Sequence, residues 1–268
     1  MPAPSEALIG WTASEGPLAS LRCGRGPRLV FVHGFTQTAT SWLPVADHFV
    51  RDFEVILVDA PGHGGSQHVR ADLRSGAAML TQLGGRATYI GYSMGGRFAM
   101  HAAIGYPSLV RGLVTLGATG GISDEFERAE RRKADEALAI EIETDGVEAF
   151  LAKWLSHPLF QTLPAERQDL ASRLTNTAEG LAGSLRLAGA GTQLPLWNQL
   201  KLMNSPVLAI AGSLDPKFTA LAEQIVSTAP RATFRVVENA GHAAHLEQPN
   251  ATATIIREWL TRQGLARP

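Results

Sequence analysis

The chain has 268 residues, 45% of them hydrophobic and 18% charged, with a net charge of −1. That is an ordinary globular balance, long enough for one large domain carrying an insertion. The composition excludes an intramolecular disulfide, because Cys23 is the only cysteine, and it argues against nucleic acid or a membrane as partner, because there is neither a long basic run nor an apolar run near the roughly 20 residues that span a bilayer.

Met1 to Ser14 lacks a basic stretch followed by an apolar one, so no secretion signal is expected and the expected location is cytoplasmic. Short apolar runs at Leu29–Val32, Val55–Val58, Thr88–Ile90, Leu113–Leu116, Val207–Ala211 and Phe234–Val237 read as strands buried on both faces. Stretches of helical length separate many of them. This alternation predicts an α/β fold with a doubly wound, mostly parallel sheet. It breaks between about Gly120 and Met203, where the sequence reads as helical throughout. Asp124 to Glu143 is the first expected helix. Asp145, with Glu148 three residues on, reads as a capping box opening a second. Pro164 suits the first turn of a third, and Thr177 to Ala188 makes a fourth. The expected organisation is therefore a core of residues 1–119 and 204–268 with a helical cap of residues 120–203. The oligomeric state is left open, and a monomer is compatible with the sequence.

Gly91-Tyr92-Ser93-Met94-Gly95 follows one expected strand and precedes a helical stretch, Arg97 to Ile104. A G-x-S-x-G motif in this setting holds a serine on a tight turn with its hydroxyl exposed. A serine hydroxyl needs an imidazole to take its proton, and the imidazole needs a carboxylate to orient it. Asp215 and His242 follow later expected strands, in the chain order serine, acid, histidine. Taken singly, each is a turn residue; taken together, Ser93, Asp215 and His242 read as a triad. An oxyanion beside Ser93 would take backbone N–H groups from Met94 and from Phe35, in the loop His33-Gly34-Phe35. His63, in the sharp loop Asp59–Ser66, reads as part of a structural turn. No metal site, dinucleotide fingerprint or phosphate loop is present in the sequence, so no cofactor is expected.

Arg97 lies four residues after Ser93. A cation near the start of a helix opposes the dipole by roughly 0.3–1 kcal/mol. It reads either as a surface residue or as an anion anchor one turn from the serine.

His33-Gly34-Phe35, the Asp59–Ser66 loop, the serine elbow and Gly241-His242 resemble the α/β-hydrolase superfamily over nearly the whole chain. Within it, Gly91 to Arg97 is similar to the elbow of the 2-succinyl-6-hydroxy-2,4-cyclohexadiene-1-carboxylate synthases of menaquinone biosynthesis. Arg128-Ala129-Glu130-Arg131, Lys153-Trp154 before Pro158-Leu159-Phe160, Arg173 before Asn176, Asp215-Pro216-Lys217-Phe218 and Ala240 to Pro249 resemble further segments of that family. The resemblance implies the α/β-hydrolase fold and a carbon–oxygen lyase that eliminates pyruvate from a small polyanionic carboxylate without a cofactor. Ser93 would then be a general base, and Tyr92, Arg97, Arg131, Trp154 and Arg173 would hold the substrate. Arg131 also suits an i,i+4 pair with Glu127, and Lys217 a second carboxylate contact or the surface. Two alternatives remain from the residues themselves: a carboxylesterase or C–C bond hydrolase using the same triad, and a non-catalytic binding module.

Overall fold

A computed structural model describes residues 8–14 and 16–266. Residues 1–7, part of the stretch read above for a secretion signal, lie outside them. Among the described residues, eight strands form one sheet: β1 Thr12–Ser14, β2 Ser20–Gly24, β3 Arg28–Val32, β4 Glu54–Val58, β5 Ala87–Tyr92, β6 Val110–Leu116, β7 Val207–Gly212 and β8 Ala232–Val237. Their spatial order is β1-β2-β4-β3-β5-β6-β7-β8. From β4 to β8 every neighbouring pair is parallel. All six expected strands are present. The antiparallel edge, β1 on β2 and β2 on β4, was not anticipated. Its strands are short and only partly buried, so they show no apolar run.

The core helices are α1 Leu43–Ala46, α2 Leu73–Gly84 and α3 Met94–Gly105. The segment between β6 and β7 contributes α4 Glu125–Leu155, α5 Leu170–Arg173, α6 Ala178–Ala188 and α7 Trp197–Leu200. The chain closes with α8 Pro216–Thr228, α9 Ala244–Glu247 and α10 Pro249–Arg262. None of the described helices is long and apolar enough to cross a membrane. Two buried clusters cover the sheet, one centred on Val30, Tyr89 and Phe98, the other on Phe31, Trp42 and Leu208. Both faces of its central strands are covered by packed side chains, which is why those parallel strands read as continuous apolar runs.

The helical segment over the sheet has its own small core of Ala139, Ile142, Phe150, Leu181, Ala182 and Leu185, shared by α4 and α6. On its outer side Arg186 grips Glu136 and Glu143. Gly146, with φ 82°, divides α4 into two helices. The expected boundary is therefore displaced by one residue: glycine tolerates the left-handed turn, and Asp145 does not cap the second helix. Pro164 opens a single 3-10 turn, Ala165–Arg167, rather than an α-helix, and α5 begins after Asp169.

Strand order places the site. After β3 the chain builds β4 on one side of it and then β5 on the other. The carboxyl ends of β3 and β5 thus flank a topological switch point, where open α/β sheets leave a crevice for ligands. Phe35 follows β3 and Ser93 follows β5.

The turn from β5 into α3 tolerates no extra atom: a Cβ at Gly95 would overlap the carbonyl of Val32 in β3. Gly95→Ala is expected to destabilise the fold by at least about 2 kcal/mol, since the obstacle is backbone. Urea unfolding checks this, and an unchanged midpoint would contradict the tight β3–α3 contact.

Candidate active site

Ser93 stands between β5 and α3 with φ 51° and ψ −108°, outside the regions an L-residue ordinarily occupies. Its N–H donates to the Leu116 carbonyl at 2.8 Å. The strained turn lifts the side chain off the sheet, where Ser93 Oγ meets His242 Nε2 at 3.3 Å. His242 Nδ1 donates to Asp215 Oδ2 at 2.8 Å, and both residues are buried. The second Asp215 oxygen accepts the Phe218 N–H at 3.2 Å as N-cap of α8, which fixes the carboxylate from both sides. This bond to Nδ1 leaves Nε2 as the acceptor facing Ser93. The imidazole lies against Phe218 and Tyr92, with ring centroids 4.3 and 5.2 Å away. Gly117, with φ 58°, allows this approach, because a Cβ there would sit 3.0 Å from the ring.

Three residues not singled out from the sequence hold these groups in place. Glu247, buried in α9, accepts the N–H groups of Gly241 at 2.8 Å and Ala243 at 3.1 Å, on either side of His242. Arg167 donates to the carbonyls of Leu246 and Glu247. Asp59 accepts the Ala39 and Gly65 N–H groups and ties the loops after β3 and β4 together. Glu247 and Asp59 lay within segments noticed for family resemblance, without a role of their own, and Arg167 in none; long-range clamps leave no local periodicity to find.

Met94 opens α3, so its N–H has no intrahelical acceptor. On the β3 side the Gly34 N–H donates to Gln37 Oε1 and the Thr36 N–H to His63 Nε2. The Phe35 N–H between them makes no hydrogen bond among the described residues. His33 and His63 brace this loop: each donates from Nδ1 to a nearby carbonyl and accepts a backbone N–H at Nε2. His63 is thus the structural turn residue expected. Burial lowers the pKa of His33 to about 4 and that of His63 to about 3.

A cavity of about 1110 Å³ lies between the sheet and the helical segment, lined by Phe35, Tyr92, Ser93, Met94 and His242. Arg97, Arg131, Trp154 and Arg173 line it too, and Lys217 stands at its wall. The structure therefore brings every candidate residue to one cavity except Asp215, which sits behind His242. Arg97 is buried and donates to the Ala188 carbonyl at the C-terminal end of α6, at 2.7 Å. Burial and the neighbouring Arg131 lower its pKa to about 10. Arg131 pairs with Asp135 at 2.7 Å, not with Glu127, because Asp135 is buried and anchored by the Gly191 N–H. Arg173 is 1% exposed; its Nε donates to the Gln168 carbonyl and its Nη1 to Thr36 Oγ1. Desolvation lowers its pKa to about 10 as well. Neither Arg97 nor Arg173 forms an ion pair with a carboxylate among the described residues. Trp154 meets Phe35 edge-on at 5.5 Å and stacks on Phe150 at 5.7 Å. Its indole N–H is buried without a partner among the described residues.

A serine, imidazole and carboxylate in register beside a cavity lined by buried arginines form an arrangement suited to proton or acyl transfer. The chain belongs to the alpha/beta hydrolase family, whose model matches residues 29–255. Within it, the chain is 38% identical over 236 residues to the 2-succinyl-6-hydroxy-2,4-cyclohexadiene-1-carboxylate synthase of Salmonella typhimurium (strain LT2), covering 83% of this chain and 89% of that protein. The fold superposes on MenH from S. aureus with a TM-score of 0.86 at 29% identity, covering 95% of this chain and 99% of that one. A malate-bound esterase from Thermogutta terrifontis, at TM-score 0.80 and 24% identity, covers 94% and 98% and shares the fold.

The braced histidines predict an acid-sensitive fold. His33 stays neutral in the folded chain down to about pH 4, whereas its ordinary pKa is 6.5. Between those values the unfolded state binds more protons. Stability is therefore complete above about pH 6.5 and falls as the pH drops towards 4, by up to about 1.4 kcal/mol per unit for each such histidine. The urea midpoint at pH 5 is expected below that at pH 7, and equal midpoints would contradict the buried neutral pair.

Proposed function

We propose that this enzyme is a carbon–oxygen lyase that eliminates pyruvate from 2-succinyl-5-enolpyruvyl-6-hydroxy-3-cyclohexene-1-carboxylate. The product is 2-succinyl-6-hydroxy-2,4-cyclohexadiene-1-carboxylate, an intermediate on the way to menaquinone. The observation that carries this reading is the pair of buried arginines, Arg97 and Arg173, facing the Ser93 cavity with no ion pair to a carboxylate among the described residues. Buried charges are ordinarily paired, so a site of this kind calls for an anionic ligand. The proposed substrate carries three carboxylates, and guanidinium groups bind them bidentately. A simple ester hydrolase has no use for these charges.

The chemistry follows from the substrate. The ring carbon bearing the succinyl ketone has an acidic hydrogen, and the adjacent ring double bond connects it to the carbon bearing the enolpyruvyl oxygen. Ser93, its own proton drawn to His242, takes that hydrogen. The electron pair passes first to the ketone oxygen, where the Phe35 and Met94 N–H groups stabilise the charge. It then shifts through the ring double bond and breaks the carbon–oxygen bond, releasing pyruvate as its enolate, which takes up the proton that His242 received from Ser93. No electrons leave the organic framework, so the reaction balances without a redox cofactor. Asp215 stabilises the imidazolium, and a positioned base of this type contributes about 10²–10⁴ in rate. Tyr92, Arg97, Arg131, Trp154 and Arg173 orient the substrate. In the same reading, residues 120–203 act as a cap over a core of residues 1–119 and 204–268, the partner is a small polyanion, and the enzyme works in the cytoplasm.

The test supplies purified enzyme with the substrate, generated in situ, and follows pyruvate release against a control without protein. Ser93→Ala is expected to lose at least about 100-fold in kcat. Arg97→Ala is expected to weaken kcat/KM by the roughly 2–5 kcal/mol of a broken buried charge contact. Rapid turnover of aryl esters without acceleration of pyruvate release would make the chain a hydrolase.

A further inference from the structure

Thr36, the residue after Phe35, is held in a conformation it does not favour. Its φ is 68°, in the left-handed region, where a β-branched side chain is a genuine outlier. It is fully buried, and each of its polar groups is gripped from a different direction. Its N–H donates to His63 Nε2 at 3.3 Å, and its Oγ1 accepts Arg173 Nη1. Its carbonyl accepts Asn176 Nδ2 at 2.8 Å. Asn176 is itself buried; its Nδ2 also reaches the Arg173 carbonyl at 2.9 Å, and its Oδ1 accepts the Gly64 N–H at 2.8 Å. One amide thus fastens the loop after β3, the loop after β4 and α5 to a single point.

We propose that Asn176 is a positioning residue for the oxyanion site. By holding the Thr36 carbonyl, it keeps the chain in the left-handed turn that directs the adjacent Phe35 N–H into the cavity. Asn176 touches no member of the triad and does not itself line the cavity, and it acts through Thr36. The inference rests on the assignment of Phe35 as an oxyanion donor but not on the identity of the substrate. An aspartate at this position would keep the acceptor for Gly64 and lose both donors, setting a carboxylate oxygen against the Thr36 carbonyl. A glycine at position 36 would adopt the left-handed turn unaided.

The test uses a fluorophosphonate. Ser93 Oγ displaces fluoride at phosphorus, and the phosphoryl oxygen gains charge that the Phe35 and Met94 N–H groups stabilise. The labelling rate, followed by intact mass, reports the oxyanion site whatever the natural substrate. Losing an oxyanion donor costs about 10²–10³ in rate, so a misdirected one is expected to slow Asn176→Asp and Asn176→Ala by at least about ten-fold. In a Thr36→Gly background the same substitutions are expected to cost less than about three-fold, a rescue that a merely structural role would not produce. Native-rate labelling by a folded Asn176 variant, or an equal loss in both backgrounds, would overturn the proposal. If the Asn176 variants fold only in the Thr36→Gly background, the coupling stands; if they fold in neither, it is overturned. A native enzyme that labels at Ser93 yet releases no pyruvate removes the lyase reading and leaves this one in place. A native enzyme that does not label removes the Phe35 assignment and this proposal with it.

Discussion

The strained turn at Ser93 is the constraint on which the rest of the site depends. A non-glycine residue at φ 51° and ψ −108° costs about 1–3 kcal/mol, and persists only where its surroundings over-determine it. Here the fully buried strand β5 leads in, the Leu116 carbonyl holds the serine N–H, and α3 packs so closely that Gly95 touches β3. With the serine fixed above the sheet, the loops at the carboxyl ends of β7 and β8 need supply only an acid and an imidazole at the right height. The parallel register of β6, β7 and β8 sets that height, bringing Asp215 and His242 into line with Ser93.

The sheet and the helical segment over it contribute different groups: Ser93, Asp215 and His242 follow strands of the sheet, whereas Arg131 and Arg173 come from the helical segment. Arg97 links the two, because it stands on α3 beside the serine yet donates to the end of α6. Arg131 is held by a buried carboxylate on its own helix, and Arg173 by contacts with the loop that carries Phe35. Each guanidinium is anchored at one edge by protein. Such pre-organisation would lower the entropy lost on binding the proposed polyanion.

Much of this was legible in the sequence, and the physical reasons are specific. Parallel strands buried on both faces announce themselves as apolar runs, so β3 to β7 could be read directly, and the partly buried edge strand β8 was legible from Phe234 to Val237. The edge strands β1 and β2 could not, because a three-residue strand and its half-exposed partner carry no clear pattern. The break in α4 was visible but misplaced: Asp145 and Glu148 have the spacing of a capping box, whereas the backbone turns at Gly146. The triad was legible because strand-end placement and chain order are local facts. Glu247, Asn176 and Asp135 were not, because each acts on backbone groups that tertiary folding alone brings to it. Arg131 shows the same limit: two carboxylates lie at helical spacing from it, and burial, which sequence does not show, selects Asp135 over Glu127.

The central claim is that Ser93 removes a proton and does not attack carbon. The most direct measurement is the deuterium isotope effect on pyruvate release, with the ring hydrogen next to the succinyl ketone replaced, read alongside the intact mass of the enzyme during turnover. Proton removal by Ser93 predicts a primary isotope effect on single-turnover pyruvate release and an enzyme mass that never rises. A rate indifferent to deuterium, together with an acylated Ser93, would contradict it and return the site to nucleophilic chemistry.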